Sequence, residues 1–110
     1  MFKLNPNPTF TAKVALTVAG SAASAVLDVE FKHKGRVALK AWLETIADRR
    51  EADILSDVIV GWSGPVDDKG EPVAYSAAAL DQLLDNYPPA SGELFEAYRK
   101  ALGESRSKNS

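Results

Sequence analysis

The sequence contains no cysteine and a single histidine, His33, among its 110 residues. Disulfide bonds, thiolate metal sites and cysteine nucleophiles are therefore excluded, as are metal sites that need several histidines. An excess of one charge is also lacking, because 13 basic residues stand against 15 acidic ones, for a net charge of −2. No apolar run approaches the length of a membrane span. We therefore expect neither a nucleic acid nor a membrane as a partner.

Motifs for catalysis and cofactor binding are missing as well. There is no glycine-rich phosphate loop, no glycine-flanked nucleophilic serine and no histidine pair. Asp67, Asp68 and Glu71 lack the spacing of an EF-hand calcium loop and indicate a solvated turn. We therefore expect no enzyme activity, no metal and no cofactor. A general base or pH switch at His33 is the alternative.

Basic residues cluster between positions 32 and 50 in this otherwise acidic chain, namely Lys32, Lys34, Arg36, Lys40, Arg49 and Arg50. A nucleic-acid patch is one interpretation. A solvated face, with Arg49 and Arg50 at the C-terminal end of a helix, is the one we favour. Acidic residues such as Glu44 and Asp48 lie between the basic ones and weaken any attraction to phosphate.

Two stretches near the N-terminus have the period-two pattern of half-buried β-strands. Along the first, one face carries Phe10, Ala12, Val14, Leu16 and Val18. The second runs from Ala25 to Phe31 and alternates in the same way, and a short loop with Gly20 joins the two. This pattern predicts an antiparallel hairpin. A lone hairpin is marginal in water, so its apolar face must pack against a helix or another chain.

Apolar residues then recur at helical spacing in four segments. The first predicted helix runs from Val37 to about Arg49, and the second from Ala52 to about Val60. The β-branched run 58–60 would also suit a short strand. The predicted fold class is therefore α+β, an N-terminal antiparallel β-hairpin followed by about four short α-helices.

The last two predicted helices have clear boundaries. Ser76 is placed to cap the third helix, with Tyr75 and Leu80 as a hydrophobic staple across the cap. Pro88 and Pro89 end that helix, and the fourth follows Ser91. Residues 1–103 are predicted to form a single domain. The tail, residues 104–110, has no apolar side chain and is predicted to be disordered.

Between the second and third helices, Gly61 to Tyr75 is predicted to be a loop. Asp67 to Gly70 has the composition of a tight turn, with Gly70 in the left-handed position. Trp62 stands at the start of the loop. It is either a lid on the core or an exposed anchor for a partner, since tryptophan is enriched in binding hot spots.

Several short motifs within Ile54 to Leu102 carry a family resemblance. An apolar stretch ends in Gly61-Trp62, an acidic turn contains the run 70–73 (GEPV), and Tyr75-Ser76 precedes a leucine-bearing helix. A proline break and a last amphipathic helix follow. In these features the chain resembles the tail assembly chaperones of long-tailed phages. The N-terminal hairpin is also compatible with that family.

The resemblance implies a protein that binds the tape measure protein and keeps it soluble while the tail tube assembles around it. It implies action in the cytoplasm of the bacterial host and absence from the mature virion. It also implies a ring or spiral homo-oligomer, a longer frameshifted form of the same protein, and no catalytic step or cofactor. A structural tail or head–tail joining subunit is the alternative function, because a small hairpin-plus-helix chain would also serve there.

The candidate structural or partner-contact residues fall in two places. The loop supplies Trp62, Val73 and Tyr75, which we expect to hold the connection between the second and third helices. The hairpin supplies Phe10, Val14 and Leu16, because its apolar face and its free edges are surfaces on which another chain can pack.

Overall fold

A computed structural model describes residues 2–103, within which three antiparallel strands and four helices form. The strands are β1 (Thr9–Leu16), β2 (Ala25–Lys32) and β3 (Ile59–Ser63), in the spatial order β1-β2-β3. The helices are α1 (Arg36–Leu43), α2 (Glu51–Ser56), α3 (Ala77–Asn86) and α4 (Ala90–Ala101). The predicted α+β class with an N-terminal hairpin is confirmed. The predicted disordered tail lies outside the described residues.

The hairpin pairs as its alternation predicts, with Val14 opposite Leu27 and Phe10 opposite Phe31. Its inward face is buried, because α4 packs across β1. Tyr98 of α4 lies fully buried against this face, with its ring 5.0 Å from that of Phe31 and 6.1 Å from that of Phe10. The Tyr98 hydroxyl donates a hydrogen bond of 2.8 Å to the carbonyl of Lys32. A helix of the same chain thus supplies the packing that the hairpin needs.

The second predicted helix is wrong beyond residue 56. Helix α2 ends at Ser56, and the segment 59–63, predicted partly as helix and partly as loop, forms β3. The alternative of a strand at 58–60 is therefore the correct one for Ile59 and Val60. Strand β2 offers unpaired backbone groups along its outer edge, and β-branched residues fit a pleated surface well. Pairing with β2, with an irregularity at Glu30 and Phe31, outweighs the weak local helical preference.

The first predicted helix is also too long. Helix α1 ends at Leu43, where the backbone N–H and the hydroxyl of Thr45 both donate to the Trp42 carbonyl. Asp48 then adopts a left-handed conformation, with φ 65°. The placement of Arg49 and Arg50 at the end of this helix is therefore wrong, because the helix stops before them.

The two arginines form ion pairs instead. A guanidinium nitrogen of Arg49 lies 3.0 Å from the Asp57 carboxylate, and one of Arg50 lies 2.7 Å from that of Asp81. The first pair joins the turn before α2 to the end of α2, and the second joins the same turn to α3. Each of the two guanidinium groups is therefore paired with a carboxylate of the same fold.

The boundaries of the last two helices agree with the prediction. The Ser76 hydroxyl oxygen accepts a hydrogen bond of 3.0 Å from the backbone N–H of Ala79, as an N-cap should. Helix α3 ends at Asn86, and α4 begins at Ala90, one residue before Ser91. Capping residues and prolines act locally, which explains why these boundaries were the best predicted.

Candidate functional site

Three of the predicted site residues meet beside β3. The indole N–H of Trp62 donates a hydrogen bond of 2.8 Å to the Val73 carbonyl. Its ring stands edge-on to that of Tyr75, with centroids 5.1 Å apart. All three side chains are partly buried, and burial raises the pKa of Tyr75 above its ordinary value. Trp62 therefore links the strand to the far end of the loop that follows it.

The loop 64–76 has a compact internal structure. Gly64 has φ 130°, and a Cβ there would lie 2.7 Å from a methyl carbon of Leu27, so only glycine fits. Further on, the Asp67 carboxylate accepts hydrogen bonds from the backbone N–H groups of Lys69 and Glu71. Gly70 is left-handed, with φ 81°. The predicted tight turn is confirmed, and Asp67 stabilises it directly.

An open cavity of about 360 Å³, which we call the loop groove, lies between this loop and α3. Polar and apolar side chains contribute about equally to its surface, and acidic side chains of the turn stand at one margin. The main apolar lining residues are Trp62, Val66, Val73, Leu83 and Tyr87, and the polar ones are Asp67, Asp68, Gln82 and Asn86. Val66 and Tyr87 are exposed hydrophobic residues. Such a surface can receive the apolar face of an amphipathic helix.

A second cavity, which we call the α2–α4 groove, has a volume of about 220 Å³. It is lined mainly by apolar side chains, with one carboxylate at its rim: Ile46, Glu51, Ile54, Leu55, Gly92 and Phe95. Small-molecule sites usually occupy about 300–1,000 Å³. This groove is therefore suited to one or two apolar side chains.

The predicted hairpin residues lie elsewhere and do not join the Trp62 group. Val14 and Leu16 are buried in the core, and Phe10 packs on Tyr98. Strand β3 covers the outer edge of β2, so β1 and β3 are the sheet's edge strands. The chain's own helix and third strand thus occupy most of the hairpin surface that the pattern offered to another chain.

The groove-lining residues contributed by α3 were not evident from sequence. The apolar pattern assigns Leu83 to the buried face of the third helix and Tyr87 to its end. A helical period shows which residues face inward. It does not show the gap that remains between a helix and a loop packed beside it.

Two further groups with shifted pKa values, Asp57 and Tyr98, line neither groove. The pKa of Asp57 is lowered, first by the hydrogen bond from Arg49 and also by the one from the Trp42 indole N–H. Burial raises the pKa of Tyr98 to about 12. Each of these groups already has a structural partner, so neither marks a reactive site.

His33 lies at the surface beside the start of the hairpin. His33 is exposed, its ring stands edge-on to Phe10, and its backbone N–H donates to the Pro8 carbonyl. Within residues 2–103, no three histidine or acidic side chains are grouped so that they could hold a metal ion. No helix in the same range is long and apolar enough to cross a membrane.

Comparison with known protein families identifies a family for the chain. A family model described as phage tail assembly chaperone matches residues 1–109. The match includes the hairpin, the loop groove and all four helices described above, and so extends well beyond the segment that carries the sequence resemblance. No curated protein and no solved structure matches the chain.

Proposed function

The chain belongs to the phage tail assembly chaperone family, and from this premise we propose that it binds the tape measure protein and keeps it soluble during tail tube assembly. The observation that carries the proposal is the family match over residues 1–109. The open loop groove supports it, because Val66 and Tyr87 expose apolar surface there and a chaperone for a helical client needs a surface that can cover apolar side chains.

The loop groove is the proposed client site. Val66 is 58% exposed at its margin, so apolar surface is available without rearrangement of the fold. Asp67 and Asp68 give the same margin a negative charge. The matching client segment is an amphipathic helix with an apolar stripe and basic residues beside it. Complementary charges of this kind would fix the orientation of the helix more than its affinity.

The proposal includes five further properties that follow from the family. The protein acts without a catalytic step, in the cytoplasm of the bacterial host. It is absent from the mature virion. It self-associates into a ring or spiral. It is also made in part as a longer frameshifted form.

Co-expression with the tape measure protein encoded downstream tests the proposal. We expect the tagged protein to co-purify with the client and to increase the soluble fraction of the client. Val66→Ser should weaken both effects. Val26→Ser is the matched control, because Val26 is 57% exposed on β2 and lies outside both grooves. A client that stays insoluble in the presence of abundant wild-type protein would contradict the proposal.

Mass spectrometry of purified virions separates the chaperone from a structural tail subunit. A chaperone should be missing from mature particles and present in lysates. Detection in virions, at a constant ratio to the tail proteins, would favour the structural subunit instead.

A further inference from the structure

The N-terminal arm, residues 2–8, projects apolar side chains into solvent. Phe2 is 94% exposed and Leu4 is 90% exposed. The arm is fixed at its base, where the His33 backbone N–H donates a hydrogen bond of 2.8 Å to the Pro8 carbonyl. The arm bends at residues 4 and 5, and the Lys3 ammonium donates a hydrogen bond of 2.6 Å to the Asn7 side-chain oxygen. The arm therefore holds Phe2 and Leu4 away from the fold.

The α2–α4 groove has the complementary properties. Its volume of about 220 Å³ and its apolar lining suit one or two apolar side chains. At its rim stands Glu51, whose carboxylate makes no hydrogen bond or ion pair within residues 2–103. Lys3 carries the opposite charge between the two apolar residues of the arm. Arm and groove therefore match in polarity and in charge.

The arm and the groove lie toward opposite ends of α4. Near the start of α4, Glu93 accepts hydrogen bonds from Thr17, which follows β1. Near its end, Tyr98 donates to Lys32, which pairs with Thr9 at the start of β1. The arm thus leaves the fold beside the C-terminal half of α4, whereas the groove is lined by residues 91–95 of its N-terminal half. This separation favours a contact between two copies over a contact within one.

We propose that the N-terminal arm of one copy docks in the α2–α4 groove of a second copy. Docking extends residues 2–4, which places Phe2 and Leu4 on the same face, toward the groove. The Lys3 ammonium then exchanges its hydrogen bond with the Asn7 side chain for a contact with Glu51 at the rim. The contact joins two different surfaces, so repeating it builds a closed ring or an open chain. The inference rests on the proposed function because that proposal includes self-association, for which the arm and the groove supply the interface.

Sedimentation velocity over a concentration series tests this contact on the full chain, with any tag placed at the C-terminus to leave the arm free. The wild-type protein should assemble as concentration rises. Replacing both arm residues, Phe2→Ser with Leu4→Ser, should raise the concentration needed for half-maximal assembly about a hundredfold. Val37→Ser is the control, because Val37 is 78% exposed on α1 and belongs to neither surface.

A groove variant makes the test independent of the arm. A Cβ added at Gly92 meets no atom within 4 Å, so Gly92→Leu should fold normally and fill part of the groove. It should impair assembly as the arm variant does. In a mixture of the two variants, the Gly92→Leu chain still has an intact arm and the arm variant still has an intact groove, so one contact can form between them. We expect that mixture to form a 1:1 dimer that grows no further.

Three results would overturn the inference. They are a wild-type protein that stays monomeric at every concentration, arm and groove variants that assemble like the wild type, and a mixture that does not pair. The arm could also dock in the groove of its own chain. In that case the protein would be a monomer, its arm would be protected from proteolysis in the wild type, and the Gly92→Leu variant would lose this protection. None of these measurements uses the client. Failure of the arm contact is therefore distinguishable from failure of the proposed function, which the solubility assay reports.

Discussion

The two tryptophans make similar bonds in different surroundings. Trp42 is buried among α1, α2 and α4, and its indole N–H donates to the Asp57 carboxylate at 3.0 Å. Trp62 is partly exposed, and its indole N–H donates to the Val73 carbonyl at 2.8 Å. Each ring also packs edge-on against a tyrosine, Tyr98 for the first and Tyr75 for the second.

The difference lies in what each tryptophan connects. Trp42 contacts Phe95 and Tyr98, residues that also contact or flank the sheet, so it belongs to the core of the domain. Trp62 joins a strand to a single loop and at the same time lines the loop groove. The comparison suggests that Trp42 stabilises the whole fold, whereas Trp62 stabilises the shape of one surface.

The largest effect is expected for Trp42→Ala. Truncating a buried tryptophan removes its apolar contacts and leaves a cavity, which costs about 3–5 kcal/mol of unfolding free energy. Denaturation in urea, monitored by circular dichroism, measures this loss. Val37→Ala on the exposed side of the same helix is the control and should change stability little. A cost below about 1 kcal/mol for Trp42→Ala would contradict its assignment to the core.

Trp62→Ala should cost less, about 1–2 kcal/mol, because part of the ring already contacts water. Its main effect should be local, with faster amide hydrogen exchange in residues 64–76 and weaker client binding. Trp62→Phe keeps an aromatic ring but removes the N–H donor, so it isolates the bond to Val73. Equal costs for Trp42→Ala and Trp62→Ala would show that loop and core unfold as one unit.

Tyr98, which packs against Trp42, should make the stability of the fold sensitive to alkaline pH. Burial raises the pKa of Tyr98 to about 12, whereas an unfolded tyrosine ionises near pH 10. The folded state thus disfavours the ionised form. The contribution of the neutral Tyr98 side chain to stability is therefore complete below about pH 10 and is lost as the pH rises toward about 12. Unfolding measured across this range should show the decline.

Tyr98→Phe separates this ionisation from general alkaline effects. It should cost about 1 kcal/mol at neutral pH, since the Lys32 carbonyl loses a hydrogen-bond donor. It should also reduce the alkaline decline in stability. An unchanged decline would assign the effect to other groups, among them Tyr75, whose pKa is also raised by burial.

The smallest effect is expected for Asp57→Asn. The lowered pKa of Asp57 means that its stabilising contribution is present above the ordinary aspartate range and is lost as the pH falls through the folded-state pKa. Asparagine keeps an acceptor for the Trp42 indole but loses the charge that pairs with Arg49. Because this ion pair is partly exposed, the loss at neutral pH should be smaller than that of Tyr98→Phe.

Thermal unfolding at about pH 7 and about pH 3 checks the Asp57 prediction, since an aspartate in the unfolded chain, with a pKa of about 3.9, takes up its proton between them. The difference in Tm between wild type and variant should shrink at the lower pH. A difference that grows in acid would mean that Asp57 does not stabilise the fold through its charge.

The hairpin and the last two helices were better predicted from sequence than the segment between them. The hairpin and the Ser76 cap were predicted correctly because alternation and capping depend on neighbouring residues. The end of the first helix and the strand at 59–63 were not, because they depend on distant partners. The same limit applies to the sites. Trp62, Val73 and Tyr75 could be named from the loop, but the groove beside them requires α3.

Sequence alone determined the alternating hairpin, the capped third helix, the turn at Asp67 and the family. Each depends on residue types at short and fixed spacings, and the family on the pattern of the whole chain. Tertiary structure decided that residues 59–63 complete the sheet, that α4 covers the hairpin, and that two grooves remain open. These features arise from packing between elements far apart in the chain. A local pattern shows which faces are apolar, but it does not show which of them find a partner.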